Sequence, residues 1–208
     1  MTKFFKNILY HLYLIGKTES DRIGLVERKK SIYKIADVSD RAIIASEAIF
    51  HNNQNNRSKI KVGEKTLIKG HLLVFKHGGE ILIGDYCFIG ESTKIWSAKK
   101  ITIGNRVLIS HNVNIHDNNS HPLNSTERHN DFVYILSNGE LRDNNDLNER
   151  DIVIEDDVWI GFNCTILKGV TIGKGAIVGA CTLVTTNIPP YSIVVGNPAR
   201  VIRFVDQS

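Results

Sequence analysis

Aliphatic side chains recur at every sixth position through long stretches of the chain. The clearest run is Ile154, Ile160, Ile166, Ile172, Val178 and Val184; earlier runs are Ile103, Ile109, Ile115, then Ile83, Ile89, Ile95, and more weakly Val62, Ile68, Val74. A second set of small or β-branched residues falls four places after these: Val158, Cys164, Val170, Ala176 and Thr182, with Cys87, Thr93, Val107 and Val113 before them. A period of six fits neither the 3.6 of a helix, nor a heptad, nor the simple alternation of a strand. It predicts short strands joined by tight turns, three to a coil, stacked as a triangular prism with both sets pointing inward. The expected fold is therefore mainly β, a parallel β-helix. Gly161, Gly173 and Gly179 follow three of the aliphatic positions, at turns expected to need positive φ or a close backbone approach.

Two breaks in the count predict where the chain leaves the prism. The step from Ile95 to Ile103 is eight, a small bulge, and the step from Ile115 to Ile154 is thirty-nine. The second break inserts a loop at about 116–151, and an excursion of that length in a compact domain is usually functional. The run Ile188-Pro189-Pro190-Tyr191 is expected to end the register, because proline cannot donate to a ladder. The domain plan is a partly helical N-terminal segment over 1–40, the β-helix with its inserted loop over 41–190, and a tail over 191–208. Within the first segment Phe5, Ile8, Leu9, Leu12 and Ile15 predict an amphipathic helix. Its apolar stretch falls short of the ~20 residues a membrane-spanning helix needs. Packing on its own protein is the expected role, with docking on a membrane surface near lipid-linked sugars as the alternative.

Composition narrows this further. An apolar share of 42% in 208 residues suits one well-packed core. Lys and Arg number 26 against 22 Asp and Glu, and no basic run is interleaved with aromatics, so a nucleic-acid partner is not expected. The small excess suits a polyanionic ligand. Cys87, Cys164 and Cys181 show no metal-type pairing, and their odd number, without a cleavable signal, points to reduced thiols and a cytoplasmic setting, at most peripheral at the inner face of a membrane. His111, His116 and His121 fall five apart, out of step with the repeat, so they should sit at different points around a coil. No metal is expected from them.

The repeat run, His121-Pro122, the segment Asp157-Val158-Trp159-Ile160-Gly161, and the ending Gly196-Asn197-Pro198-Ala199-Arg200-Val201-Ile202-Arg203 together resemble hexapeptide-repeat O-acetyltransferases. The nearest relatives in kind are the maltose, galactoside and polysaccharide (including sialic acid) enzymes. The resemblance covers roughly residues 60 to 203. It implies a left-handed prism, a homotrimer with sites at its subunit interfaces, and acetyl-CoA as donor in a groove between neighbouring subunits. The implied acceptor is a hydroxyl of a sugar or of a polysaccharide or glycan precursor. The family's histidine in an extended loop before a proline corresponds to His121, as general base in a direct transfer. Chemically this is sound, since a neutral imidazole takes the hydroxyl proton as it attacks the thioester and returns one to the departing thiolate.

Backbone N–H groups at a strand corner are expected to hold the oxyanion. Asp117 and Glu127 are candidates to orient the imidazole, and His116 and Trp159 are candidate supports, Trp159 as a wall of the acetyl site or as interface packing. By the same resemblance, Gly161, Gly179, Ala180, Thr185, Thr186, Arg200 and Arg203 contact the cofactor. The sequence departs from many relatives in having Thr186 where they carry Lys, a charge that Lys174 or Lys168 could replace. The stretch from Asn138 to Arg150 reads as solvated loop able to close over the acceptor, with Tyr134 nearby for polyhydroxyl recognition. Two other classes compete: a zinc enzyme resembling γ-carbonic anhydrases, suggested by His111 and His116, and a non-catalytic trimeric scaffold. Zinc content separates the first, and thiol release from acetyl-CoA the second.

Overall fold

The computed structural model describes residues 24, 26–139 and 147–205. Two units divide the chain, Met1–Lys34 and Ile35–Ser208. In the first, residues 26–34 are helical (α1), and an exposed Lys30–Glu27 pair at 2.8 Å spans one turn. The amphipathic helix expected around Phe5 to Ile15 lies outside the described residues.

The second unit is a stack of coils with three faces. One face carries β1 (Asp37–Val38), β4 (Ile60–Val62), β7 (Ile81–Ile83), β10 (Ile101–Ile103), β13 (Ile152–Ile154) and β16 (Thr171–Ile172). The second carries β2 (Ile43–Ile44), β5 (Leu67–Ile68), β8 (Phe88–Ile89), β11 (Leu108–Ile109), β14 (Trp159–Ile160), β17 (Ile177–Val178), β19 (Ser192–Val195) and β20 (Arg200–Phe204). The third carries β3 (Ile49–Asn52), β6 (His71–Val74), β9 (Lys94–Ser97), β12 (Asn114–His116), β15 (Thr165–Leu167) and β18 (Leu183–Val184). Successive strands visit the three faces in turn, and each pairs in parallel with the strand one coil away. β19 and β20 alone, among the described strands, pair antiparallel.

Register explains the six-residue count. On the second face Ile68, Ile89, Ile109, Ile160, Val178 and Val194 stack directly over one another, and all are buried. Rungs lie about 4.8 Å apart, so each aliphatic group is in van der Waals contact above and below. Every member of both sequence sets named above is buried. On the third face β9 runs to four residues and carries a second inward residue, Ser97 after Ile95, which accounts for the eight-residue step. Among the polar members of the inner stack, Thr93 is satisfied locally, whereas the buried Thr182 hydroxyl finds no partner among the described residues. Thr93 Oγ1 donates to the Ser110 carbonyl (2.6 Å) and accepts from the Val113 N–H (3.1 Å).

Of the two roles expected of Gly161, Gly173 and Gly179, close approach holds and positive φ does not. Lys65, Tyr86, Arg106 and Asp157 at one corner, and Ser92, Asn112, Asn163 and Cys181 at the next, hold the left-handed turn positions with φ from 53° to 63°. Gly161, Gly173 and Gly179 are needed instead for close approach: a Cβ on Gly161 would stand 2.7 Å from the Ala180 nitrogen. Asx side chains then tie coil to coil. Asp85 Oδ1 accepts from Glu64 N (2.8 Å), Asn105 Oδ1 from Asp85 N (2.9 Å) and Asp156 Oδ1 from Asn105 N (2.7 Å). Each bond satisfies a turn N–H that no strand reaches.

Two boundaries shift. The prism opens at Asp37, ahead of 41. It also continues beyond the two prolines: Pro189 and Pro190 occupy a corner, where no ladder donor is required, and β19 follows in parallel with β17. The region read as a tail over 191–208 thus contains β19 and β20. The inserted loop does leave after His116 and return at Ile152, but it contains a helix, α2 (Ser125–Asn138).

Replacing one stacked residue tests this core. Ile109→Ala should lower unfolding free energy by about 2–5 kcal/mol, read by urea denaturation; a loss under 1 kcal/mol would show that the coils do not bear on one another as described.

Candidate functional site

The inserted loop is pinned at its neck by Asp117. This fully buried carboxylate accepts from Ser97 Oγ (2.6 Å), Ala98 N (2.8 Å), Lys99 N (2.9 Å) and Asn118 Nδ2 (3.0 Å), while its carbonyl accepts from Arg150 N (2.9 Å). Asn119 N donates to the carbonyl of buried Leu147, so the outgoing and returning strands of the loop are joined twice. Asn118 Oδ1 then accepts from Ser120 N (2.7 Å), turning the chain toward His121, with Ser120 at φ 64°.

α2 grips that segment. Asn124 caps the helix through bonds to Thr126 N (2.9 Å) and Glu127 N (3.1 Å), and Gly139 ends it in the left-handed conformation. From the first turn, Arg128 Nη1 donates to the carbonyls of Pro122 (3.2 Å) and Leu123 (3.0 Å). One turn on, Asp131 Oδ2 lies 3.2 Å from His121 Nδ1. Asp131 is 0% exposed, whereas the His121 side chain is 47% exposed. The tautomer with its proton on Nδ1 donates to this buried carboxylate and leaves the Nε2 lone pair free. Nε2 makes no hydrogen bond among the described residues.

The carboxylate on the imidazole is therefore neither of the two expected. Asp117 is committed to the neck, and Glu127 sits in the first helical turn, where its charge complements the helix dipole. A readable signal for Asp131 existed in Asn124, Glu127 and Gly139, which bracket a helix and place positions 128 and 131 on one face.

Other expected residues are distributed around the prism. His116 lies on the outer side of the third face, stacked on Trp96 with ring centroids 5.0 Å apart. His116 Nε2 and Trp96 Nε1 are buried and lack hydrogen-bond partners among the described residues. His111 stacks on Phe162 at a corner (5.3 Å), so the three histidines do not converge. Among the described residues no three His, Cys, Asp or Glu side chains are grouped to hold a metal. Trp159 is 52% exposed on the second face, in line with Leu108 and Ile177. Gly161, Gly179 and Ala180 lie together at the corner between the second and third faces. Thr185 and Thr186 lie past β18, at the corner from which the loop departs in an earlier coil. Arg200 and Arg203 are exposed on β20, and Arg200 Nη1 donates to the Ala199 carbonyl (2.9 Å). Lys168 Nζ donates to Asn148 O (2.7 Å) at the loop's return, while Lys174 stands at the corner between the first and second faces. Of the stretch from Asn138 to Arg150, residues 140–146 lie outside the described residues. Tyr134 is partly exposed on α2.

A family model for bacterial transferase hexapeptide repeats (six repeats) matches residues 151–186. A hexapeptide-repeat-containing acetyltransferase from Vibrio cholerae is 32% identical, with 70% of this chain and 73% of that chain covered, at a TM-score of 0.53. The galactoside O-acetyltransferase of Escherichia coli is 33% identical over 145 residues, 70% of this chain and 64% of that protein. AntD, an N-acyltransferase from Bacillus cereus solved with dTDP and coenzyme A, shares the fold at 21% identity, covering 86% and 90% of the two chains at a TM-score of 0.65. The chain spans about three fifths of the length of the curated relatives it matches. The class is the left-handed parallel β-helix, and the chain belongs to the hexapeptide-repeat acetyltransferase family.

Burial at the third face also sets an acid limit. Desolvation lowers the pKa of His116, against the opposing pull of Asp117, and desolvation, then the nearby His51 and Lys94, lowers that of His71. Both rings bind protons less readily folded than unfolded, so their contribution is complete above the ordinary value near 6.5 and is lost as pH falls through the lowered native values. The urea midpoint should drop between pH 7.5 and 5.5, and drop less in His116→Phe; parallel curves for the two proteins would contradict the assignment.

Proposed function

We propose that the protein transfers an acetyl group from acetyl-CoA to a hydroxyl of a sugar or glycan precursor, with His121 as general base. The observation that carries this reading is the half-exposed His121 ring, held at Nδ1 by a fully buried carboxylate, on a loop inserted into an acetyltransferase prism. The galactoside relative supports a sugar acceptor.

Nε2 removes the hydroxyl proton as the oxygen attacks the thioester carbonyl, forming the new C–O bond. The C–S bond then breaks, and the imidazolium returns the proton to the thiolate. Asp131 keeps the ring in the tautomer that makes Nε2 the base and stabilises the transient positive charge. Arg128 fixes the backbone behind the ring, which limits the search over geometries.

The donor is read as lying along the corner of Gly161, Gly179 and Ala180, where backbone amides are approachable, with Arg200 and Arg203 toward its phosphates. On one chain that corner and the departure point of the loop are opposite edges of the third face. This favours a homotrimer in which neighbouring chains complete each site.

His121→Ala should reduce kcat by about a hundredfold or more while acetyl-CoA affinity, by calorimetry, changes little. Asp131→Asn, which preserves shape, should cost at least about tenfold in kcat through the wrong tautomer. Full activity in the first variant would remove His121 from the mechanism, and full activity in the second would reduce Asp131 to packing.

A further inference from the structure

A cavity of about 640 Å³ opens where the C-terminal end of α2 meets the early coils of the prism. Its walls include Leu73, Phe75 and Ile135 on the apolar side and Asn53, Asn55 and Lys76 on the polar side. The volume is within the usual range of about 300–1,000 Å³ for small-molecule sites. Asn52 forms a rigid flank, since its amide donates to Ile35 O (2.7 Å) and Asn56 O (2.8 Å) and its Oδ1 accepts from Gln54 N (3.1 Å). The side chains of Asn53 and Asn55 make no hydrogen bond among the described residues, leaving amide donors and acceptors for a ligand. One apolar wall facing neutral amides matches a pyranose ring, which offers C–H groups on its faces and hydroxyls at its edge. A single lysine is a poor match to a multiply phosphorylated ligand.

Placement relates this cavity to His121 by two independent routes. Along α2, Arg128, Asp131 and Ile135 fall on one stripe, with Gly139 continuing it. Ile135 is one turn beyond the residue that holds His121, a rise of about 6 Å, and Gly139 is about 12 Å beyond. Across the third face, Leu73, Trp96 and His116 are successive register partners, so two rungs, about 10 Å, separate the cavity's Leu73 from the strand that leads into the loop.

Resting on the acetyltransferase reading, we infer that this cavity is a second sugar subsite, and that the acceptor is a saccharide of two or more residues. One residue presents its hydroxyl at His121 while its neighbour in the chain lies against Phe75 and Leu73. The acceptor is thus an oligosaccharide or a growing polymer rather than a free monosaccharide.

The test uses the full chain on an array of immobilised glucose-, galactose- and sialic-acid-containing glycans, from monosaccharides to pentasaccharides, without acetyl-CoA. Retention of at least one oligosaccharide about tenfold more tightly than its own monosaccharide is expected. Phe75→Ala and the surface double variant Asn53→Ala, Asn55→Ala should each erase most of that difference. No preference for longer glycans in the native protein, or an undiminished preference in both variants, overturns the subsite. Because the array needs no donor, its outcome is separate from thiol release. Turnover with monosaccharides alone would leave the transferase reading standing while the subsite fell, and retention without turnover would do the reverse.

Discussion

Every coil of this prism must set its inward side chains directly above those of the coil before. An aliphatic group displaced by one position would point to solvent and leave a void in the stack, at a cost of several kcal/mol. The chain can therefore interrupt its count only at a corner, and it must re-enter in phase. The departure after His116 and the return at Ile152 satisfy this, with Ile101 to Ile103 pairing Ile152 to Ile154 as though nothing intervened. The buried Asp117 carboxylate and the paired backbone at Leu147 and Arg150 close the gap.

That constraint lends the excursion its stiffness. A loop of this length would ordinarily sample many conformations, yet its neck is fixed and α2 is nucleated by a cap immediately after the His121-Pro122 step. The helix then works as a ruler laid against the segment it follows: Arg128 takes backbone carbonyls, Asp131 takes the ring, and Ile135 reaches the cavity wall. The proposed chemistry thus sits on an element outside the repeat, while the repeat supplies the fixed frame.

Much of this was legible in the order of residues. Period six fixed the three-faced prism and its inward positions because a strict geometric repeat leaves few alternatives, and the long break located the loop. The corner conformations were not legible, since left-handed positions are held here by Asn112, Asn163, Arg106 and Tyr86 through ties between coils that one coil's sequence does not reveal. The proline pair misled for a related reason: absence of a donor is harmless at a corner. Asp131 is ten residues from His121 and reaches it only through the turn of α2, whereas the acids nearer along the chain, Asp117 and Glu127, are committed elsewhere.

The last strand has a consequence of another kind. A pile of parallel coils has no natural end, since its final rung offers the same ungratified amides and carbonyls as any other and invites another molecule to continue it. β20 doubles back on β19, antiparallel and with an irregular step between Ile193 and Val194, and so presents a hydrogen-bonding pattern that a further parallel coil cannot match. On the second face the edge of β19 is thereby occupied, so no further parallel strand can add to it there.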